Sequence, residues 1–302
     1  MYKNYKKTNQ ITAVIKCLIK IATICFFVIC CCFNYKTALA MPFYHLHPSE
    51  IVLRSSFYTT YSSSSEERKH NIKLASNSLN NTIVDAGGEF SFNLTVGART
   101  ERKGYKNAKI IVNGEFIDGV GGGVCQVSTT LYNAVLLSGL KIIEYHPHSL
   151  PVSYVSPSFD AMVNSGSADL RFINNTSNPI IIKTYADGST LKIDIYGQEL
   201  KVKYQRKSVV ISEIPCPDYQ ILIDEKGEYP DLKQGEQKIV KYGTKGIKSQ
   251  GFLVAMKGDK IISVKKIRSD TYAPTQGKII VGTTIPMEEN SPILNNPLPI
   301  DL

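Results

Sequence analysis

The sequence contains no tryptophan, and only two of its seven cysteines, Cys125 and Cys216, lie beyond residue 40. Two cysteines are too few for a disulfide-based scaffold, so a core of buried apolar side chains must hold the fold together. A single bridge between Cys125 and Cys216 stays open, because an oxidising compartment would permit it. The other five cysteines lie in an apolar segment near the start of the chain, where they act as small hydrophobic residues.

The sequence also lacks the surplus of basic residues that a nucleic-acid-binding surface needs. Much of its net charge of +9 comes from the first forty residues, which contain six lysines and no acidic residue. The remainder has 29 basic and 26 acidic residues. Such a near balance of charge provides no phosphate-binding surface, so we expect no nucleic-acid partner.

The first forty residues have the pattern of an export signal. Lysines precede an apolar run over residues 21–33, and Ala38-Leu39-Ala40 is a small-x-small cleavage site. An uncleaved membrane anchor is the alternative, since residues 11–33 are long enough to span a bilayer although they include Lys16 and Lys20. Both interpretations put the lysines in the cytoplasm and the rest of the chain outside it. We therefore predict an extracytoplasmic protein that contacts the membrane only if this segment is retained.

Residues 41–200 are predicted to form an α+β domain in which helices pack on a mostly antiparallel sheet. After an irregular stretch over 41–61, the capping pair Ser64 and Glu67 predicts a helix that ends at Asn80. A second helix is predicted over 125–138, where apolar residues recur at helical spacing. Short apolar runs, most of them alternating with polar residues, predict strands over 82–84, 89–93, 110–112, 115–117, 141–146, 180–185 and 191–196.

Residues 201–284 are predicted to form a small, elongated all-β domain. Strand-like runs recur over 209–211, 220–223, 238–241, 251–256, 260–264 and 278–281, and glycines fall in the turns between them. The region has no helical period and few apolar residues in each run, so we expect a thin core. Residues 285–302 contain four prolines and no packing pattern, which predicts a disordered tail.

The strongest chemical signal is a cysteine that follows a glycine loop at the predicted start of a helix. The loop consists of Gly121, Gly122 and Gly123, and Cys125 lies two residues later. A helix start collects unpaired N–H groups and the positive end of the helix dipole, which lowers the pKa of a thiol and can hold a developing anion. We therefore predict that Cys125 is a nucleophile and that the loop and Gln126 form the oxyanion-binding part of the site.

Two histidines that follow this helix are candidates for the base that activates the thiol. We favour His148 over His146, which the strand pattern predicts at a surface or strand-end position. A third residue that orients the imidazole would come later in the chain, as Asp160 or Asn164. The same order of a cysteine, a histidine and an orienting residue occurs in papain-like and NlpC-type hydrolases.

Two other interpretations of the cysteine compete with catalysis. Cys125 could be a buried residue at the start of a packed helix, with the glycines serving only close packing. It could instead bind zinc together with His146 and His148, but the sequence offers no clear fourth ligand. We therefore expect no metal and no other cofactor.

Further charged and aromatic residues are expected to be structural. Arg99, Glu101 and Arg102 are predicted to form a solvated turn rather than a substrate clamp. Tyrosines of the later region could stack on sugar rings, although packing in the core or at sheet edges is the favoured interpretation. They are Tyr219, Tyr229, Tyr242 and Tyr272.

Nearly half of the chain, from about residue 56 to residue 197, resembles the VanW-like family, which is named for a protein found in some vancomycin-resistance clusters. The matching segments are Gly88–Asn93, Val96-Gly97, Arg99-Thr100, Gly104-Tyr105, Val112–Gly114, the run Gly121–Tyr132, Asn133-Ala134 and His148–Tyr154. The resemblance implies a location in the cell envelope, and the family has no settled biochemical activity that could be carried over to Cys125.

The later region resembles the five-glycine (G-five) domain that is common on bacterial surface proteins. The matching segments are 233–236, 240–243 and 273–283. That domain has been proposed to bind polymers that contain N-acetylglucosamine. The resemblance therefore implies peptidoglycan or a related polymer as the partner.

Two functions stay open on these grounds. The first is an exported cell-envelope protein that binds peptidoglycan and acts on its peptide stems with Cys125 as a thiol nucleophile. The second is a non-catalytic interaction module that the C-terminal β domain anchors to wall glycans. The reactivity of Cys125 discriminates between them, because only a nucleophile needs a thiolate near neutral pH.

Overall fold

The computed structural model describes residues 51–112 and 114–284. The predicted export segment over 1–40 and the predicted tail over 285–302 lie outside these ranges. Within them, no helix is both long enough and apolar enough to cross a membrane.

The described residues are mostly β, with few helices. The helices are α1 (Glu66–Leu79), α2 (Phe92–Val96) and α3 (Val124–Leu137). The strands of the first part are β1 (Val52–Thr60), β2 (Thr82–Val84), β3 (Glu89–Ser91), β4 (Asn107–Val112), β5 (Glu115–Val120), β6 (Lys141–Glu144), β7 (Arg171–Ile173), β8 (Ile180–Ala186) and β9 (Thr190–Gly197). The later strands are β10 (Lys203–Ile214), β11 (Gln220–Ile223), β12 (Gln237–Lys241), β13 (Gly246–Lys257), β14 (Lys260–Tyr272) and β15 (Lys278–Val281).

Helix α1 is confirmed, with its cap one residue later than predicted. Ser65 is the N-cap, and its Oγ accepts a hydrogen bond of 3.3 Å from the Arg68 amide. Ser64 instead accepts from the Arg68 guanidinium at 2.9 Å. The helix ends at Leu79 with Asn80 in extended conformation as its C-cap. Both asparagine and serine compete well for backbone hydrogen bonds, which is why they mark the two ends.

The main sheet has the order β1-β9-β8-β2, and all of its pairs are antiparallel. Strand β1 corrects the prediction of an irregular stretch over 41–61. Its residues show no regular apolar alternation, and β9, the partner that orders them, lies 130 residues further along the chain. The inner face of the sheet consists of fully buried aliphatic side chains, namely Ile180, Ile182, Leu191, Ile193 and Ile195.

Helix α3 is the most buried element of the fold, and twelve of its fourteen residues are inaccessible. The predicted apolar stripe packs on β1 and β9. The polar side of the helix is also covered, because the chain over 159–163 crosses it. There Ser128 donates to the Ala161 carbonyl at 2.5 Å, and Asn133 donates to the Phe159 carbonyl at 2.8 Å. The helix therefore holds the segment that follows the two histidines against its first three turns.

The remaining strands form two small sheets and two sheets of the later region. Strands β3-β7-β6 and the hairpin β4-β5 complete the first part. The predicted strand over 89–93 is shorter than expected, because Ser91 caps α2 and Phe92 begins that helix. In the later part, β10-β13-β14 is a long antiparallel sheet, and β15 pairs with β11 in parallel and with β12 antiparallel. Strands β10, β13 and β14 are each 12 or 13 residues long, well beyond their predicted bounds.

Candidate active site at the start of a buried helix

The glycine loop brings the start of α3 against strand β4. A Cβ atom on Gly122 would lie only 2.7 Å from the Lys109 carbonyl oxygen and 2.8 Å from that of Ala108. Gly123 has a φ of +107°, which L side chains rarely adopt. Gly122 is therefore required by the close approach of the backbones, and Gly123 by its conformation. The helix begins at Val124, so Cys125 is its second residue.

Cys125 is a free thiol that is partly buried. Its Sγ donates to the Val163 carbonyl at 3.3 Å, and the residue keeps partial contact with solvent although protein atoms surround its sulfur densely. Its amide N–H has no hydrogen-bond acceptor among the residues that the structure describes. Cys216 is also a free thiol, so the disulfide that the sequence left open is not formed.

His148 and Asp160 form a buried pair next to this thiol. The imidazole Nδ1 lies 2.7 Å from Asp160 Oδ2, and the His148 backbone N–H donates to the same oxygen at 2.6 Å. The carboxylate therefore holds the proton on Nδ1 and leaves Nε2 for the thiol. The His148 imidazole and the Cys125 thiol are close enough for each to shift the pKa of the other, while the hydrogen bond that Cys125 Sγ forms is the one to the Val163 carbonyl. The three residues therefore lie in space in the order that they have along the chain, with His148 between Cys125 and Asp160.

The electrostatics of this group favour a thiolate beside an imidazolium. Burial alone would raise the pKa of Cys125, but the neighbouring His148, the hydrogen bond to Val163 and the charge of Arg99 together outweigh it and keep that pKa below the usual thiol value. Burial alone would lower the pKa of His148, whereas Asp160 and Cys125 raise this pKa to about 9.

Asp160 is held in turn by residues of strand β14. Tyr272 donates its hydroxyl proton to Asp160 Oδ1 at 2.6 Å, and Arg268 lies 3.4 Å from the same oxygen. Arg268 also donates to the Asp160 carbonyl at 2.6 Å and forms a bidentate ion pair with Asp270 at 2.7 and 3.0 Å. Although burial alone would raise the pKa of Asp160, the partners of its carboxylate, above all His148, keep this pKa below the usual value.

These residues of β14 were missed by the sequence analysis. Arg268, Asp270 and Tyr272 occupy alternate positions of a strand whose predicted bounds ended at residue 264, and all three are buried. Polar residues at i, i+2 and i+4 share one face of a strand. A longer predicted strand would have placed these three side chains on one face, but their burial could not be predicted from the sequence pattern.

Other predicted site residues lie elsewhere or have structural partners. His146 is half-buried and pairs with Glu144 at 3.0 Å. Asn164 forms a turn by accepting from Ser167 and Ala168. No cluster of metal-binding side chains occurs in the described part of the chain, so the zinc interpretation has no ligand set there.

Both the nitrogen and the oxygen of the Gln126 side-chain amide form hydrogen bonds. Its Nε2 donates to the Thr59 hydroxyl and to the Thr60 carbonyl, each at 2.9 Å, and its Oε1 accepts from Arg68 at 2.9 Å. The side chain thereby ties the helix start to β1 and α1. The Cys125 amide at the helix start, by contrast, has no acceptor within the described ranges.

Arg99 departs from the predicted solvated turn. Its guanidinium donates to Asn93 Oδ1 at 2.7 Å and to the Gly97 carbonyl at 3.0 Å, while Nη2 is buried with no partner among the described residues. Arg102 and Glu101 are exposed, as the sequence predicts. Arg99 therefore points inward from a turn whose other charges face solvent.

Comparisons with known proteins match both parts of the chain. The family described as VanW like protein matches residues 67–196, and the G5 domain matches residues 224–284. The chain is 44% identical over 144 residues to YoaR of Bacillus subtilis (strain 168), covering 48% of each protein. It is 32% identical over 116 residues to the vancomycin B-type resistance protein VanW of Enterococcus faecalis (strain ATCC 700802 / V583), covering 37% of this chain and 42% of that protein. The chain thus spans about half the length of these relatives.

Among solved structures, the chain is similar to the G5 domain of an IgA1 protease. The likeness has 19% sequence identity and a TM-score of 0.19, and it covers 28% of this chain and 90% of that structure.

Proposed function

We propose, from the premise that this chain carries a VanW-like domain (67–196) followed by a G5 domain (224–284), that the protein is an extracytoplasmic, cell-wall-associated acyltransferase or hydrolase. Its substrate would be an amide bond in the peptide stems of peptidoglycan, and its nucleophile would be Cys125. The domain division at residue 200 and the export segment over 1–40 are parts of the same proposal.

The contact chain Cys125–His148–Asp160 carries the proposal. A nucleophile, a base within reach of it and a buried group that orients the base are the three parts of thiol-dependent acyl transfer. A structural cysteine needs none of them. The cysteine at a helix start and the later histidine and third residue are also the arrangement of papain-like hydrolases, and we extend the proposal to that mechanism.

In the proposed reaction, the Cys125 thiolate attacks the carbonyl carbon of a stem amide and forms a C–S bond. The resulting oxyanion accepts a hydrogen bond from the Cys125 amide N–H at the positive end of the α3 dipole. The C–N bond then breaks, and the His148 imidazolium gives its Nε2 proton to the departing amine. This step leaves a thioester on Cys125.

The second half of the reaction releases the acyl group. Water, or the amine of a second stem, attacks the thioester carbonyl and loses its proton to His148. The C–S bond breaks, and the thiolate returns beside the imidazolium. Water as acceptor gives hydrolysis, and an amine gives transfer.

Association with the cell wall is supported by the two families together. One relative is named as a vancomycin resistance protein, and the G5 domain occurs at residues 224–284 of this chain. We propose that this later region binds a polymer that contains N-acetylglucosamine. The alternative of a purely structural module is favoured by one observation, the tight packing of Gly122 on β4, which would require glycine without any catalysis.

The decisive test is acylation of Cys125 by a peptidoglycan fragment. The purified chain is incubated with soluble muropeptides, and both the products and the protein are analysed by mass spectrometry. We expect cleaved or transferred stems and a thioester on Cys125, both lost in Cys125→Ala and both retained in Cys216→Ala. Product formation that survives Cys125→Ala would overturn the proposal.

A further inference from the structure

Two arginine side chains flank the glycine loop that precedes Cys125. The stem of Arg99 packs on Gly121, where an added Cβ would lie 3.1 Å from Arg99 Cβ. The stem of Arg68 packs on Gly123 in the same way, at 3.1 Å from its Cγ. The charges of both guanidiniums act on Cys125. The loop therefore has an arginine stem from α1 on Gly123 and another from the turn after α2 on Gly121, and both cations act on the thiol that follows it.

Among the residues that the structure describes, the hydrogen-bond partners of both guanidiniums are neutral. Arg68 donates to the hydroxyl of Ser64 and to the side-chain oxygen of Gln126, each at 2.9 Å. Arg99 donates to an asparagine side chain and a backbone carbonyl. Within the described ranges, neither forms a salt bridge with a carboxylate.

Arg99 has unused hydrogen-bonding capacity that is buried. Its Nη2 has no partner among the described residues, and neither has the nearby buried hydroxyl of Tyr105. The charge of Asp169 acts on Arg99, but the carboxylate oxygens of Asp169 already accept from Ser91 and from the Asn93 amide. Burying a guanidinium without an anion is costly, because the group loses hydration and gains no ionic partner.

We propose that Arg68 and Arg99 form a clamp for a carboxylate of the substrate, placed within a few bonds of the carbonyl that Cys125 attacks. Guanidinium groups bind carboxylates with directional, charge-assisted hydrogen bonds, which suits a site that must position one acyl group. The inference rests on the proposed function, since it names the substrate class of the same site. Peptides with a free carboxylate next to the scissile amide belong to this class.

The main competing explanation is that the two arginines serve only to stabilise the Cys125 thiolate. Iodoacetate and iodoacetamide separate the two roles, because both reagents react with the thiolate but only iodoacetate carries a carboxylate. A change in thiolate fraction cancels in the ratio of the two alkylation rates. A change in carboxylate binding does not cancel.

The experiment measures both rates at Cys125 and Cys216 of the full chain, by mass spectrometry of the two peptides at fixed chloride concentration. We expect the iodoacetate-to-iodoacetamide ratio at Cys125 to exceed that at Cys216. The ratio at Cys125 should fall about tenfold in Arg99→Met or Arg68→Met, as expected for loss of a charge-assisted hydrogen bond. The exposed neighbour Arg102→Met is the matched control and should leave the ratio unchanged.

An unchanged ratio in folded Arg99→Met and Arg68→Met would overturn the clamp. Should these variants fail to fold, the unmutated chain gives the answer. N-acetylglycine should then protect Cys125 from iodoacetamide, and N-acetylglycinamide at the same concentration should not; equal protection or none would overturn the clamp.

Failure of the proposed function gives a different pattern. A native Cys125 that neither reagent alkylates would refute the nucleophile. The clamp is then judged in Cys125→Ala, where N-acetylglycine should still raise the Tm and the amide should not. If the protein has the same Tm with N-acetylglycine as with N-acetylglycinamide, the clamp is refuted as well.

Discussion

The carboxylate of Asp160 uses both of its oxygens, and this determines how His148 can act. Oδ2 accepts twice from His148, and Oδ1 accepts from Tyr272. A carboxylate with this many donors stays ionised, so the imidazole keeps its proton on Nδ1 and can receive a second proton on Nε2. The chemistry at Cys125 therefore depends on residues that never contact the thiol.

The first prediction concerns the pH dependence of Cys125. In the native chain its alkylation by iodoacetamide should show an inflection below the usual thiol pKa of about 8.5. In His148→Ala the imidazolium is lost while burial remains, so the inflection should move to higher pH. The profile of Cys216 in the same samples should not change; identical Cys125 profiles in both proteins would contradict the thiolate–imidazolium pair.

The same pair makes a prediction for catalysis and stability at alkaline pH. Because the pKa of His148 is raised to about 9, the imidazolium contributes stability that is fully present below the unfolded histidine value of about 6.5. That contribution is lost as pH rises through about 9, and the proton for the leaving amine is lost with it. We expect turnover of muropeptides to fall across this range, and a flat rate up to pH 10 would contradict the role of His148 as the acid.

A third prediction tests the hydroxyl that supports Asp160. Tyr272→Phe removes the donor to Asp160 and the acceptor of the Ser158 amide, both buried. Leaving such groups unpaired costs about 1–3 kcal/mol, so the free energy of unfolding in urea should fall by this amount. Tyr242→Phe is the matched control, since Tyr242 is 73% exposed, and it should change stability by less than about 0.5 kcal/mol. Equal effects of the two changes would remove the case for a supporting hydroxyl.

At the level of elements, the site depends on how closely α3 approaches α1 and β4. The glycine loop permits this approach, and Gln126 and Asn71 bond across it. Asn71 of α1 donates to the Gly122 carbonyl at 3.0 Å and accepts from the Lys106 amide at 2.8 Å. These bonds fix the position of the start of α3 relative to α1 and β4, so a change in the loop should displace Cys125.

Two glycines that both have a strongly positive φ separate the cost of packing from the cost of backbone strain. Gly123 and Gly166 both have φ above +100°, but only Gly123 has neighbours, with Ile72 Cγ1 at 2.9 Å from an added Cβ. Gly166→Ala should therefore cost only strain, about 1–2 kcal/mol. Gly123→Ala should cost about 1–3 kcal/mol more through overpacking, as measured by urea unfolding. Equal costs would show that the loop tolerates a side chain.

The two long helices, α1 and α3, and the position of the glycine loop before Cys125 could be predicted from the sequence because their signals are local. A cap residue and an apolar period identify α1 and α3, and a glycine run before a cysteine identifies the start of the site. Strand β1 and the inward turn of Arg99 could not be predicted in this way. Strand β1 is determined by pairing with β9, which is distant in sequence, and the orientation of Arg99 by burial. A local sequence pattern contains neither kind of information.

At the level of the whole molecule, the later β region is part of the site. The sheet β10-β13-β14 packs on the first part of the chain, where Arg206 stacks on Phe57 and Phe159 at 4.2 and 4.8 Å. Ser249 bonds Ser158 at 2.7 Å. Arg268 reaches Asp160 across 108 residues of sequence, which explains why no local pattern connects them. The segments that match the VanW like protein and G5 families therefore both contribute residues to one candidate site.

The last prediction concerns Arg268, whose side chain is fully buried between two carboxylates. Arg268→Met leaves Asp270 without its cation and removes one of the two cations beside Asp160, the other being His148, so the free energy of unfolding should fall by about 3–5 kcal/mol. Loss of one positive charge should also raise the pKa of Cys125, measured as a shift of the alkylation profile to higher pH. A merely structural role would lower stability without moving that profile.

Two further variants serve as a control and as a test of rescue. Lys266→Met lies two residues away on β14 and is exposed, so it should change neither stability nor the profile. Asp270→Asn in the Arg268→Met background removes the carboxylate that has lost its cation, so it should restore part of the lost stability. An Arg268→Met protein with native stability and a native profile would show that the later region does not support the site. A shifted profile with partial rescue by Asp270→Asn would place the electrostatic control of Cys125 in a strand of the later region.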